Sequence, residues 1–282
     1  MPDLVREPAP AKLNPVLRVL GRRGDGFHEI ETVVLPLTLA DGVEARRDAD
    51  GVSLAVTGPL AGDVPRDEEN LVLRAARELA SAAGIEPRAR MLLVKRVPVG
   101  AGLGGGSSDA AAAIRALNDV WGLGWAPQRL AEVGAAIGSD VPAMLHGGPV
   151  VARGRGELVE RLGATRTWWV LAVQPFQVSA EAAYSWWDGS PATGPPIDAV
   201  VTSLQRGDAS ALAATLRNDL AAPVEQHHPE AGEARRRLTE AGALSAVVSG
   251  SGPTVAGLCR DGLHAEQVAA AVDGIAVASL AH

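Results

Sequence analysis

The chain is poor in several things. Its 282 residues include one cysteine, Cys259, so there is no internal disulfide framework, and a reducing compartment suits it. No run approaches the roughly eighteen apolar residues of a membrane-spanning helix, and the opening MPDLVREPAPAK lacks the apolar centre of a secretory signal. A cytoplasmic protein without membrane contact is expected. Basic residues number 26 against 33 acidic, and the formal charge of −7 excludes a general nucleic-acid surface. Phosphorylated ligands must therefore meet a local positive site. Aromatic residues make up only 3%, which singles out Phe27 beside His28 in the loop GRRGDGFHE. An aromatic ring next to a ring nitrogen can form a pocket for a flat ring, although a lone loop histidine is more often just solvated. Lysine is scarcest among the charged residues: Lys12 and Lys95 stand against 24 arginines. A chain that uses guanidinium nearly everywhere has reason to keep an ammonium where a compact charge is needed.

Glycine, by contrast, is concentrated where it can act. Pro98 to Ala113 reads PVGAGLGGGSSDAAAA, with Gly100, Gly102, Gly104, Gly105 and Gly106 falling within seven positions. The stretch follows an apolar run, Ala89 to Val97, that reads as a strand, and it leads into Ala110 to Leu117, which reads as a helix. Backbone amides in such a loop, ending on a helix N-terminus, form an anion site, and phosphate is the anion expected. The spacing also satisfies the dinucleotide fingerprint. That motif belongs near a first strand with an acid about twenty residues on, whereas here it arrives late and Asp109 and Asp119 follow too soon. A Walker A loop would need lysine where Gly106 stands, so the cation for phosphoryl transfer must come from elsewhere.

Along the rest of the chain, Ala11 to Leu20 reads as a buried strand whose alternation places Lys12 and Asn14 on one face. Strands are predicted at Ile30 to Leu39, Val43 to Arg46 and Val52 to Thr57. A helix from Glu69 to Ala82, ended by Gly84, has Asn70 as its local N-cap. A second helix spans Pro127 to Ile137. In the following Ser139-Asp140-Val141-Pro142, the proline predicts an extended Val141. Asp140 is then either a turn former or a positioned carboxylate. The charged stretch Arg153 to Thr167 marks the expected division into domains 1–160 and 161–282. In the second half, a strand (Trp168 to Gln174), three helices (Asp198 to Gln205, Ala209 to Leu220, Glu230 to Ala241), two strands flanking SGSGPT (249–254), a helix from His264 and a last strand are predicted. The lack of a steady βαβ rhythm points to an α+β fold. Two glycine loops in two halves fit a nucleotide held in a cleft, one loop under the phosphates and the other closing over them.

These motifs together carry a resemblance. AKLN (11–14), GLGGGSSDAA (102–111), GSDVP (138–142) and SGSGPT (249–254) are similar to the motifs of the GHMP small-molecule kinases. With RRGDGFHE (22–29), the chain resembles the branch acting on a CDP-linked methylerythritol in the non-mevalonate isoprenoid pathway. The resemblance covers the chain from Ala11 to about Gly257, and it implies a two-domain architecture with the active site in the cleft, and ATP-dependent phosphorylation of the 2-hydroxyl. It further implies Asp140 as base and Lys12 as its partner. The ATP phosphates would lie on Pro98, Val99, Gly100, Ala101, Gly102, Leu103, Gly104, Gly105, Gly106, Ser107 and Ser108, with Asn70 and Lys95 near the nucleotide base. Asn14, Phe27 and His28 fall on the substrate side, with Tyr184 as a second stacking face. The family has tyrosine where Phe27 stands; the ring face is kept and a hydroxyl is lost. Mg²⁺ is implied with ATP, its ligands open among Ser107, Ser108, Asp109, Glu132 and the triphosphate itself. Partners are the CDP-linked alcohol and ATP, and the chain acts as monomer or homodimer. Rival readings are a homoserine- or mevalonate-type kinase and a nucleotide-binding module without catalysis.

Overall fold

The computed structural model describes residues 3–189 and 191–281. In chain order its elements begin with β1 (Val5–Leu13), β2 (Val16–Arg22), β3 (His28–Arg47), β4 (Val52–Thr57), α1 (Leu71–Ala83), β5 (Ala89–Val94), α2 (Gly105–Val120), α3 (Pro127–Ile137) and α4 (Val141–Leu145). There follow β6 (Val150–Gly154), β7 (Leu158–Arg161), β8 (Trp168–Ala172), α5 (Ala180–Gly189), α6 (Asp198–Arg206), α7 (Ala209–Thr215) and β9 (Arg217–Asn218). The chain ends with α8 (Ala221–His227), α9 (Pro229–Glu240), β10 (Ser245–Val248), β11 (Val255–Cys259), α10 (Gly262–Val272) and β12 (Ile275–Ala278). The mixture is α+β, as the sequence predicts. Two compact units interleave along the chain: Met1–Ala11, Leu39–Val99 and Gly104–Gly147 form one, and Lys12–Thr38, Gly100–Leu103 and Gly148–His282 the other.

In the first unit β5 pairs in parallel with β4 and antiparallel with the Gly42–Arg47 end of β3. Alternate residues Ala89, Met91 and Leu93 of β5 are buried, the period-2 pattern of a strand with one covered face. Helix α1 buries Val72, Leu73, Ala76, Leu79 and Ala80, the i, i+3, i+4 stripe that makes it amphipathic, and packs on α2 and α3. Asn70 caps it, accepting from the Val72 amide at 2.9 Å, while its own amide donates to Pro65 O at 2.7 Å.

In the second unit β10, β11, β8 and β12 form an antiparallel sheet packed on α9 and α10. Its core joins Val170, Leu238, Val248, Val255 and Val268 to Leu17 and Val19 of β2. β2 lies between β3, antiparallel, and the short β9, parallel, while β6 joins β3 to β7.

Several local expectations give way. The strand foreseen from Ala11 to Leu20 is broken at Asn14-Pro15 into β1 and β2. The two strands foreseen between Ile30 and Arg46 are one strand of 20 residues, because Asp41 does not turn the chain: its carboxylate takes up donors from the end of β5. Val141 is helical rather than extended. Pro142 sits in the first turn of α4, where its missing N–H costs no helix bond, and Asp140 O accepts from Met144 N at 3.1 Å. The helix foreseen from Ala209 to Leu220 stops at Thr215, where β9 begins, and α5 and α8 were not foreseen.

What positions the glycine stretch in the first unit is a buried charge cluster. Asp41, Lys95 and Asp109 are each at most 3% exposed. Lys95 Nζ donates to Asp41 Oδ2 at 2.5 Å and to Asp109 Oδ2 at 2.7 Å. Asp41 Oδ1 also accepts from the backbone amides of Arg96 and Val97, at 2.5 and 2.8 Å. The strand end that launches the loop and the second turn of α2 that receives it are thus tied to one ammonium. A Cβ on Gly105 would lie 3.0 Å from Lys95 Nζ, so glycine is what lets the helix start there.

Two expected outcomes follow from this packing. Asn70→Ala should cost about 1 kcal/mol of unfolding free energy in a urea titration, the usual scale of a lost N-cap. The second concerns Asp109, whose carboxyl burial pushes up from 3.8 to about 7; Lys95 opposes the shift and Asp41 adds to it. The folded chain then holds this proton more tightly than the unfolded one. Stability from it, full below about pH 4, is lost as pH rises through about 7. Asp109→Asn cannot ionise, so its melting temperature should fall less than the parent's over that window, with the gap widest near pH 8.

Candidate active site

Helix α2 begins inside the glycine run, at Gly105, five residues before the Ala-rich segment from which the sequence predicts it. Gly104 stands at the N-cap in the left-handed region, with φ 65°, and no side chain caps the helix. The amides of the first turn therefore keep their donor capacity, at the positive end of a helix 16 residues long. Ser108, 1% exposed, has a hydroxyl without a hydrogen-bond partner among the described residues. These donors suit an anion with several oxygens. The Gly138–Asp140 turn borders the same terminus: a Cβ on Gly138 would lie 3.9 Å from Ser107 Oγ. Asp140 occupies the N-cap position of α4 but its side chain makes no cap bond, so its half-buried carboxylate is not used up by the turn.

The second unit holds an ammonium of its own. Lys12, at the end of β1 and 5% exposed, donates to Asn14 Oδ1 at 2.7 Å and to Gly102 O at 2.9 Å. Asn14 is held in turn by Thr32 Oγ1 at 2.9 Å and Val33 O at 3.2 Å, to which its amide donates. Lys12 and Asn14 lie side by side as the sequence expects, although β1 ends at Leu13 and leaves Asn14 outside the strand. An ammonium bonded to the carbonyl of Gly102 brings positive charge to the middle of the glycine loop, which has no lysine of its own.

The SGSGPT turn does not close over the loop from another half. It packs on the loop within the same unit: Ser249 Oγ donates to Gly102 O at 3.1 Å, and Thr254 N to Ala101 O at 3.3 Å. A Cβ on Gly102, where φ is +76°, would lie 2.3 Å from Ser249 O and 2.6 Å from Gly252 O, so no other residue fits. Asn218 holds the turn from behind, donating to Val248 O at 2.8 Å and Gly250 O at 2.7 Å. Nothing local in the sequence marks Asn218, since its role depends on β9 lying beside β2.

At the exit of the GRRGDGFHE loop, Phe27 is 47% exposed, and the Arg155 guanidinium lies 5.0 Å from its ring centroid. His28 faces α5. Tyr184 stacks on the imidazole at 4.7 Å and 20°, Trp187 meets it edge-on at 5.8 Å, and Asp188 Oδ1 lies 2.8 Å from Nε2. Tyr184, expected as a second stacking face for the substrate's base, lies against His28. One face of the Tyr184 ring is covered by the His28 imidazole. Trp187 and Asp188 were missed; their spacing of three and four from Tyr184 was the available signal.

Asn70 and Lys95 are both held by partners within the chain. Asn70 is buried and spends its amide and carbonyl on Pro65 and Val72, and Lys95 is buried between two carboxylates. Both side chains tie together elements that flank the loop. Asp109 is likewise taken by Lys95, and Glu132 is exposed. Among the described residues no group of three or more His, Cys, Asp or Glu could hold a metal, and no helix is long and apolar enough to cross a membrane.

Residues 70–148 match the family model of the GHMP kinases N terminal domain, and residues 200–276 that of the GHMP kinases C terminal. A 4-diphosphocytidyl-2-C-methyl-D-erythritol kinase of Pelotomaculum thermopropionicum is 46% identical over 267 residues, covering 93% of this chain and 91% of its own. The enzyme of the same name from Moorella thermoacetica is 41% identical, over 95% and 94% of the two chains. A crystal structure of 4-(cytidine 5'-diphospho)-2C-methyl-D-erythritol kinase superposes with a TM-score of 0.84 at 33% identity, over 99% of this chain and 100% of that one. Homoserine kinase from Cytophaga hutchinsonii, with a TM-score of 0.77 at 20% identity over 100% and 96%, shares the fold. With such identity over nearly the whole length, the chain belongs to the 4-diphosphocytidyl-2-C-methyl-D-erythritol kinase family of the GHMP kinases and is an ATP-dependent small-molecule kinase.

Proposed function

We propose that the protein transfers the γ-phosphoryl group of ATP to the 2-hydroxyl of 4-diphosphocytidyl-2-C-methyl-D-erythritol, releasing ADP. The observation that carries this reading is the uncapped N-terminus of α2 inside the glycine run, bordered by the unspent carboxylate of Asp140. Phosphoryl transfer needs positioning and charge compensation more than covalent help from the protein. The loop from Pro98 to Ser108 holds the triphosphate through backbone amides and the Ser107 and Ser108 hydroxyls. Asp140 accepts the proton of the attacking hydroxyl. Lys12, anchored on the Gly102 carbonyl, offsets negative charge on the transferring group. Mg²⁺ bound with ATP would supply charge neutralisation at the phosphate oxygens, and the Ser107 and Ser108 hydroxyls of the loop could be among its ligands.

On the acceptor side, Phe27 offers an exposed ring to the cytosine, and His28 reads its edge, with Asn14 near the alcohol. The fold shared with homoserine kinase does not carry substrate choice. That choice rests on the relatives at 41 and 46% identity and on the Phe27–His28 pair.

ADP release measured with Mg-ATP should appear with the CDP-linked alcohol and not with the same alcohol lacking cytidine. Turnover of homoserine or mevalonate instead would discard the substrate. Asp140→Asn and Lys12→Met should each lower kcat by about 10² to 10⁴ while ATP binding, followed by calorimetry, persists. Near-parental kcat in either would remove that residue from the chemistry. Phe27→Ala should raise KM for the CDP-linked substrate by about tenfold, the scale of one lost base–aromatic stack, and leave KM for ATP alone.

A further inference from the structure

We propose that Asp188, on α5, is a positioning residue that fixes which nitrogen of His28 carries the proton, and thereby makes the site prefer an amino-bearing pyrimidine over an oxo-bearing one. This rests on the substrate reading above. His28 Nε2 lies 2.8 Å from Asp188 Oδ1. A carboxylate has only acceptors, so the hydrogen of that bond sits on Nε2, and in the tautomer this selects, Nδ1 carries a lone pair. No hydrogen bond to Nδ1 occurs among the described residues.

The ring cannot easily turn to exchange its nitrogens. Its side chain is 8% exposed, with Tyr184 stacked 4.7 Å away on one face and Trp187 edge-on at 5.8 Å. Trp187 is itself buried and anchored by its indole N–H, which donates to Ala192 O at 3.1 Å. Tyr184, Trp187 and Asp188 stand at i, i+3 and i+4, so one face of α5 supplies the stack, the edge and the carboxylate together. Arg22 provides a countercharge, its guanidinium 3.6 Å from Asp188 Oδ2.

The chemistry of the two pyrimidines then decides. Cytosine carries a donor at C4 in its amino group, which an Nδ1 lone pair accepts. Uracil in the same pose carries an acceptor there, and two lone pairs would face each other. An unmatched buried polar group is what gives hydrogen-bonding sites their discrimination. An asparagine at 188 can instead offer an N–H to Nε2, which lets the proton return to Nδ1 and weakens the preference.

The experiment compares the parent enzyme and Asp188→Asn on the CDP-linked alcohol and its UDP-linked counterpart. It is joined to ¹⁵N spectra of histidine-labelled protein, in which His28 is assigned through its loss in His28→Gln. In the parent, His28 should show the Nε2–H tautomer. Asp188→Asn should raise KM for the CDP-linked alcohol about tenfold, the scale of one hydrogen bond, and narrow the cytidine-to-uridine ratio of kcat/KM about tenfold. Its kcat and KM for ATP should stay within about twofold, a split that general loosening of the fold would not produce. An Nδ1–H tautomer in the parent, or an unchanged base ratio in Asp188→Asn, overturns the role of Asp188. Failure of the parent itself to use the CDP-linked alcohol is a separate result and overturns the substrate reading. Asp188→Ala, which removes the acceptor without offering a donor, should shift the spectrum toward mixed tautomers even if Asp188→Asn folds poorly; an unshifted spectrum counts against the proposal.

Discussion

An ammonium buried between two carboxylates holds the end of the strand at Val97 and the start of the helix at Gly105 in fixed relation. The Lys95 cluster does this without solvent, which is why its partners are all satisfied except Asp109 Oδ1. Two carboxylates sharing one cation in a dry site cannot both be comfortably ionised. The cluster therefore carries a surplus that a proton at Asp109 relieves. What it secures is the join between the end of β5 and the first turns of α2.

The middle of that loop is secured by a different device. Gly102 O accepts from both Lys12 and Ser249, and the chain at Ser249 is in turn held by Asn218 through the carbonyls on either side of it. A Walker loop carries its cation within its own sequence. Here the cation arrives from a residue 90 positions earlier and bonds to the loop's backbone, not its side chains. The ammonium bonded to the loop's backbone is thus separated in sequence from the loop itself.

Much of this was legible in the residues. The glycine run, the helix after it, Lys12 with Asn14 on one face, and Phe27 with His28 announce themselves through local composition and spacing. What was hidden depends on partners distant in sequence. Asp41 beside Gly42 reads as a turn until Arg96 and Val97 are seen donating to it. Lys95 reads as a ligand-facing cation until its two carboxylates are found. Val141 follows a correct local rule about residues before proline, yet the rule loses to a helix start that suits proline in its first turn. Asp188 is one acid among many until its helix is placed against His28. Local propensity identifies elements; which polar side chains are spent inside and which are left for a ligand is a tertiary matter.

The two lysines have a consequence beyond the site. Both are buried, at 5% and 2% exposure, and every other basic side chain apart from histidine is a guanidinium. Reagents and enzymes that acylate or alkylate amines therefore find no lysine at the surface, whatever the protein's net charge. An amine-directed label that does enter at either position would report the opening of the loop's own supports, so the scarcity of one residue type turns the interior of this kinase into a chemically addressable place.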